Sequence, residues 1–182
     1  VRQVSNNVRP IHQLEDCQGL RLRTQKSALI ARGLGLVGFE TIEMDIGLLT
    51  DAIRRGEVDA QENPLINTHG FGLDRLHPYI ALTSHLVGVS LLACSAITWN
   101  RWTADVRDRV MAAAAAATRL QRALAVDEDV RLRASMTADG TRFTEIAPDA
   151  RRQFVAAIAP MLAEHREVLL SPALDGLADP GA

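Results

Sequence analysis

The sequence predicts an α/β fold in which parallel strands alternate with helices, and three features carry that prediction. Between Leu20 and Pro64, short apolar runs alternate with helix-period segments, which is the rhythm of parallel strand–helix units. Glycines and a proline (Gly33, Gly35, Gly38, Gly56, Pro64) punctuate the boundaries. Further along, Ile80–Thr83 and Gly88–Ala93 are apolar without clean alternation, as expected of strands buried on both faces.

The elements follow in order. Leu20-Arg21-Leu22-Arg23-Thr24 alternates apolar and basic residues and reads as a strand. Lys26 to Leu36 is helix-compatible, with the glycines marking its end. Glu40 to Met44 is a second strand. Asp45 is placed to cap a helix through Ile46, Leu49 and Ile53, which Gly56 stops. Val58-Asp59-Ala60 is a short third strand, and Asn63 then reads as the cap of a helix with Pro64 in its first turn. After the two strands near residues 80–93, Thr103 or Asp105 opens the longest helix, to about Leu124. Its apolar stripe is Val106, Val110, Ala113, Ala117, Leu120 and Leu124. Asp127, Glu128 and Asp129 open another helix. Thr137 to Ile146 reads as a strand pair around the turn dipeptide Asp139-Gly140. Arg151 to Leu169 forms a last helix, interrupted or kinked at Pro160, and the tail from Ser171 is expected to fray.

Composition removes several function classes. The chain has 182 residues, 47% hydrophobic and a net charge of -2, enough for a core and with no global attraction to nucleic acid or acidic membrane. Aromatic residues at 4% argue against a base-stacking surface. The longest apolar stretch, Leu86 to Ala93, is far short of the ~20 residues of a spanning helix, so no direct membrane insertion is expected. Cys17 and Cys94 make no disulfide framework and read as two inert thiols. No Walker loop, GxGxxG, nucleophile elbow or HExxH is present, and neither catalytic residues nor a cofactor are expected. The start at Val1-Arg2-Gln3, with no cap or turn, reads as a cut inside a larger protein.

Few residues are placed to carry chemistry. Ligands of parallel sheets sit beyond the carboxyl ends of the strands, where Arg23 and Asn63 both fall. A guanidinium matches the two oxygens of a carboxylate and keeps its charge when buried. The other reading of Arg23 is an exposed residue on a polar strand face, and Arg21 has the same parity. Asp59, Glu62 and Asn63 cluster where a strand gives way to a helix; Asn63 is either a donor to an anion or a simple cap. His69, His77 and His85 are eight residues apart, which does not put three metal ligands on one helical face, and no metal site is expected. Trp99 and Trp102 read as packing at the start of the long helix.

Together these segments resemble a known family. Glu15-Asp16-Cys17-Gln18-Gly19-Leu20-Arg21-Leu22-Arg23 is similar to the E-D-x-x-G-L-K-x-R segment of the DctP-type TRAP transporter solute-binding proteins. Arg54-Arg55-Gly56-Glu57-Val58-Asp59-Ala60-Gln61-Glu62-Asn63-Pro64-Leu65 resembles the segment containing G-x-V-D-G-Q-E-N-P. His77 to His85 resembles the V-Q-K-Y-x-x-x-T-x-H stretch, and Trp102 to Val106 the entry to a long helix.

The resemblance implies a fold of the type II periplasmic binding protein kind. Residues 1–88 and 129–182 would form the C-terminal lobe, and residues 89–128 a strand and long helix crossing into an incomplete N-terminal lobe. It implies a periplasmic receptor, not an enzyme, that captures a small organic acid and hands it to the membrane permease of a TRAP transporter. Arg23 would be the principal carboxylate partner, with Asn63 as second contact, Arg2 assisting, Glu62 at the site edge and His85 near the cavity. Departures such as Ala60 for glycine and Ile46 for an aromatic bear on which acid is bound, and favour one smaller or more apolar than a sugar acid. Two other functions fit parts of the pattern: a ligand-binding sensory domain of the same fold, and a metal-dependent hydrolase using Asp59, Glu62 and His85.

Overall fold

The computed structural model describes residues 1–165 and has a mixed sheet of six strands at its centre. In chain order the strands are β1 (Arg2–Asn6), β2 (Arg21–Thr24), β3 (Glu40–Glu43), β4 (Ala60–Asn63), β5 (Tyr79–Leu86) and β6 (Arg142–Glu145). Across the sheet the order is β3-β2-β4-β1-β5-β6. β2 pairs in parallel with β3 and β4, as the strand–helix rhythm predicts, and β5 pairs in parallel with β6. β1 runs against both of its neighbours, β4 and β5. Nothing in the hydropathy signals β1, because Gln3, Ser5 and Asn6 are polar yet buried.

The helices are α1 (Ala28–Leu36), α2 (Ile46–Arg54), α3 (Leu65–Gly70), α4 (Ala96–Arg101), α5 (Ala104–Ala138) and α6 (Pro148–His165). Asp45 caps α2 through Gly47 N–H, as the sequence indicates, and Ser27 caps α1 through Ile30 N–H. One core cluster joins Val4, Leu22, Ala60 and Ala81 of the sheet to Leu34 of α1 and Ala150 of α6. Leu49, Ala52 and Ile53 of α2 pack with Val58 and Leu73 in a second. In a third, Leu65 of α3 and Leu132 and Met136 of α5 cover Ile80 and Leu82. Both faces of the sheet are therefore covered.

Several sequence expectations are corrected. The third strand runs over Ala60–Asn63, and Pro64, not Asn63, is the cap position of α3. Asn63 stays in the ladder because it sits opposite Gln3 of β1. Residues 88–93 form no strand: no described strand lies beside them, and Val89, Leu91 and Leu92 are exposed. The two helices expected from residue 103 onward are one 35-residue helix, since the acidic run at Asp127–Asp129 is compatible with helix and contains no breaker. Its stripe residues Val106, Leu120 and Leu124 are exposed, and burial begins only at Leu132 and Met136. The expected strand pair over 137–146 is a single strand, β6, because Asp139-Gly140 ends α5 instead of turning a hairpin. Gly140, at φ +100°, takes the left-handed conformation that such a stop requires. α6 begins at Pro148 and continues through Pro160; the remainder of the predicted last helix and the tail lie outside the described residues. Trp99 and Trp102 do pack together, with ring centroids 5.8 Å apart, at the junction of α4 and α5. Cys17 is buried and Cys94 exposed, both as free thiols.

Candidate functional site

Strand direction assembles the site. β2, β3, β4, β5 and β6 all point the same way and end at one edge of the sheet, while the reversed β1 starts there. The last residues of β2, β4 and β5 and the first of β1 therefore meet, at the edge where α/β sheets bind ligands. Arg23, Asn63, His85 and Arg2 are those residues or their immediate neighbours.

Arg23 is 4% exposed, so it is not the exposed strand-face residue of the alternative reading. Its Nε donates to the Met44 carbonyl at 2.8 Å. Among the described residues no carboxylate forms an ion pair with it. Burial lowers its pKa, opposed by the charge of Glu62 and reinforced by that of Arg2. An arginine does not escape this by losing its proton, so the group stays charged in a buried setting, with the charges of Glu62 and Asp45 acting in its favour. It lines a cleft of about 350 Å³ together with Arg2, Asn63, Lys26, Asp45, Ile46 and Phe71.

Arg2 is differently placed. Its Nε and Nη2 grip both carboxylate oxygens of Glu62, and Nη2 also donates to the Glu62 carbonyl at 2.7 Å and to Asn63 Oδ1 at 3.1 Å. The Glu62 side chain is fully buried and does not line the cleft. Burial alone pushes its carboxyl up, but hydrogen bonds from His85 and Arg2, with their charges, hold it below the usual carboxylate range. His85 Nε2 lies 3.4 Å from Glu62 Oε2, and its Nδ1 is 2.7 Å from the Thr83 hydroxyl. Glu62 and His85 thus brace Arg2 from behind the cleft.

A bulge aims His85. Arg2 pairs with Leu86 but Val4 with Ala81, so β5 carries extra residues at this point. Ser84 takes φ +46°, unusual for a side chain other than glycine. Gln3 holds it there: its Oε1 accepts from Ser84 N–H at 2.8 Å, and its Nε2 donates to Ser84 Oγ at 3.3 Å.

The structure thus brings Arg2, Arg23 and Asn63 to one cleft and puts Glu62 and His85 behind Arg2. Asp59 is elsewhere: both its oxygens are held by Arg21 at the opposite edge, so the residues of a metal-dependent hydrolase are not gathered. Among the described residues no group of three or more His, Cys, Asp or Glu could hold a metal. Sequence reasoning missed Gln3, Met44 and Phe71. Met44 contributes a backbone carbonyl, for which side-chain identity gives no signal.

The profile of the bacterial extracellular solute-binding proteins of family 7 matches residues 1–167. A curated solute-binding protein of Verminephrobacter eiseniae is 27% identical over 174 residues, covering 96% of this chain and 51% of the relative. The crystal structure of a TRAP periplasmic solute-binding protein from Ochrobactrum anthropi superposes with a TM-score of 0.90 at 25% identity, over 97% of this chain and 55% of that one. Another, from Sulfitobacter sp. NAS-14.1, has bound β-D-galacturonate and superposes with a TM-score of 0.79 at 26% identity, over 91% and 56%. The chain spans about half the length of these proteins.

Proposed function

Because the chain belongs to the bacterial extracellular solute-binding proteins of family 7 and has their type II-like fold, we propose that it is a receptor that captures an organic acid by its carboxylate. The observation that carries this reading is Arg23: a buried guanidinium without a carboxylate partner among the described residues, opening on a cleft. A ligand carboxylate supplies the missing counter-charge and takes two donors from one planar fork. Arg2 and Asn63 stand beside it, and Glu62 and His85 keep Arg2 in position. Met44, Ile46 and Phe71 line the same cleft and are placed to meet the body of the acid.

In this reading the protein acts in the periplasm, where family members work, and delivers its ligand unchanged to the permease of a TRAP transporter. Residues 1–88 and 129–182 belong to one lobe, of which 166–182 lie outside the described residues. Residues 89–128 reach toward a second lobe. The exposed apolar residues Val89, Leu91, Leu92 and Leu120 support that division, since they find no cover among the described residues. Closure of the lobes draws on the ligand's preference for the closed state. The galacturonate bound to the Sulfitobacter relative supports an acid as ligand.

Thermal-shift screening of sugar acids, small hydroxy acids and dicarboxylates tests the reading, since a ligand of the native state raises Tm. A carboxylate is expected to stabilise the protein. Arg23→Ala is expected to weaken it by about 2–5 kcal/mol, roughly 30-fold or more in Kd. Binding that survives Arg23→Ala unchanged removes the basis of the assignment.

A further inference from the structure

We propose, on the reading of the cleft as a carboxylate site, that Gln61 is a positioning residue: held by Ser5 and Thr68, it fixes the Asn63 carboxamide so that nitrogen, not oxygen, is offered to the ligand. A carboxamide has a donor end and an acceptor end of nearly the same shape, and only its surroundings decide which faces where. Here the surroundings form a directed chain. The Thr68 hydroxyl donates to the Pro64 carbonyl at 3.2 Å, so lone pairs remain for Gln61 Nε2, also at 3.2 Å. Gln61 Nε2 donates to Ser5 Oγ at 2.7 Å as well. Ser5 Oγ in turn lies 3.0 Å from His77 Nδ1.

With both Gln61 N–H groups taken by hydroxyls, its Oε1 is left to face Asn63, and Asn63 Nδ2 donates to it at 2.6 Å. The other end of Asn63 is fixed independently, since Oδ1 accepts from Arg2 Nη2. One Asn63 N–H remains, and Asn63 lines the cleft. Ser5, Gln61, Thr68 and His77 are at most 1% exposed. The chain is shielded from bulk solvent, and a reversed amide would leave a buried donor facing a donor. The consequence is selectivity for a ligand group that only accepts, an ionised carboxylate, over one that also donates, such as a primary amide.

Side-chain amide NMR of ¹⁵N-labelled protein, with titration by D-galacturonate and by its primary amide, tests this. In the wild type the Asn63 Nδ2 protons are expected to exchange slowly with solvent. Thr68→Val, which keeps shape but deletes the acceptor, is expected to speed that exchange and to weaken galacturonate binding about fivefold, the effect of losing one hydrogen bond. Thr68→Ser restores both. Thr68→Val also narrows the preference for acid over amide, a change that a general loosening of the fold does not produce. Unchanged Asn63 exchange in both Thr68→Val and Gln61→Leu overturns the inference. If no acid binds the wild type while the exchange responds as expected, the carboxylate reading of the cleft falls and the orienting role of Gln61 stands.

Discussion

Arg21 and Arg23 stand two residues apart on one strand and point to the same face, yet their circumstances are opposite. Arg21 lies at the edge where β2 begins, its side chain is 39% exposed, and its fork is filled by both oxygens of Asp59. Arg23 lies at the edge where β2 ends, is nearly fully buried, and holds only a backbone carbonyl through Nε. Partnership with Arg21 holds the Asp59 carboxyl below the usual range, whereas burial lowers the pKa of Arg23. At one edge of the sheet the arginine is paired with a carboxylate; at the other, the arginine lines a cleft with no ion-pair partner among the described residues. On the proposed reading, the difference separates an arginine that supports the fold from one that is kept for a ligand.

The largest expected effect is at the cleft edge. Glu62→Leu strips Arg2 of its counter-charge in a buried setting, where breaking such a pair costs about 3–5 kcal/mol. Denaturant unfolding measures it, and a loss below 1 kcal/mol would mean that Arg2 is compensated by something else. Next is His77, at the opposite edge, where burial pushes the imidazole down to about 4, partly offset by the charge of Asp59. Because the folded pKa lies below the unfolded value near 6.5, the unfolded chain binds more protons between the two. Stability is then full above about pH 6.5 and falls by about 3 kcal/mol toward pH 4. His77→Gln is expected to flatten that slope, and an unaltered slope locates the titration elsewhere. The third effect joins the two arginines directly. Arg23→Met, measured without ligand, is expected to leave stability within about 1 kcal/mol of the wild type or raise it, because an uncompensated buried charge is removed. Arg21→Met is expected to lower stability above about pH 4 and to do so less as the pH falls through the depressed folded pKa of Asp59. Equal behaviour of the two variants would erase the contrast.

The sequence made the two edges unequally legible. β2, β3 and α2 were readable because apolar alternation and the Asp45 cap are local signals, and the partners of β2 run in parallel as predicted. β1 was not, since a central strand made of Gln3, Ser5 and Asn6 inverts the hydropathy on which strand prediction rests. Its reversed direction is what delivers Arg2 to the cleft, and no local pattern encodes direction. Arg23 and Asn63 stand out by position at strand ends and by resemblance, but which residues line the cleft and which lie behind it is invisible in the sequence. Glu62 adjoins Asn63 in sequence yet faces away from the cleft, because successive residues of a strand alternate sides. The strand expected at 88–93 shows the opposite failure: apolar character was present, but a strand also needs a neighbour to pair with.

The smallest expected effect sharpens the contrast at the level of the backbone. Among the non-glycine residues described, Ser84 alone has positive φ, and it belongs to the edge that carries the cleft. Left-handed geometry costs an ordinary side chain about 1–2 kcal/mol, and a β-branched one more. Ser84→Gly removes that strain but also frees the unfolded chain by about 0.5–1 kcal/mol and deletes the Gln3 bond to Oγ. The terms nearly cancel, so stability is expected to move by less than about 0.5 kcal/mol. Ser84→Val keeps the strain, adds branching and loses the same bond, and is expected to cost about 1–2 kcal/mol. If the bulge serves to aim His85 at Glu62, only Ser84→Val changes acid affinity, because glycine adopts the same backbone. A Ser84→Gly protein with altered affinity but normal stability would show instead that the serine hydroxyl, and not the shape of the strand, matters at that edge.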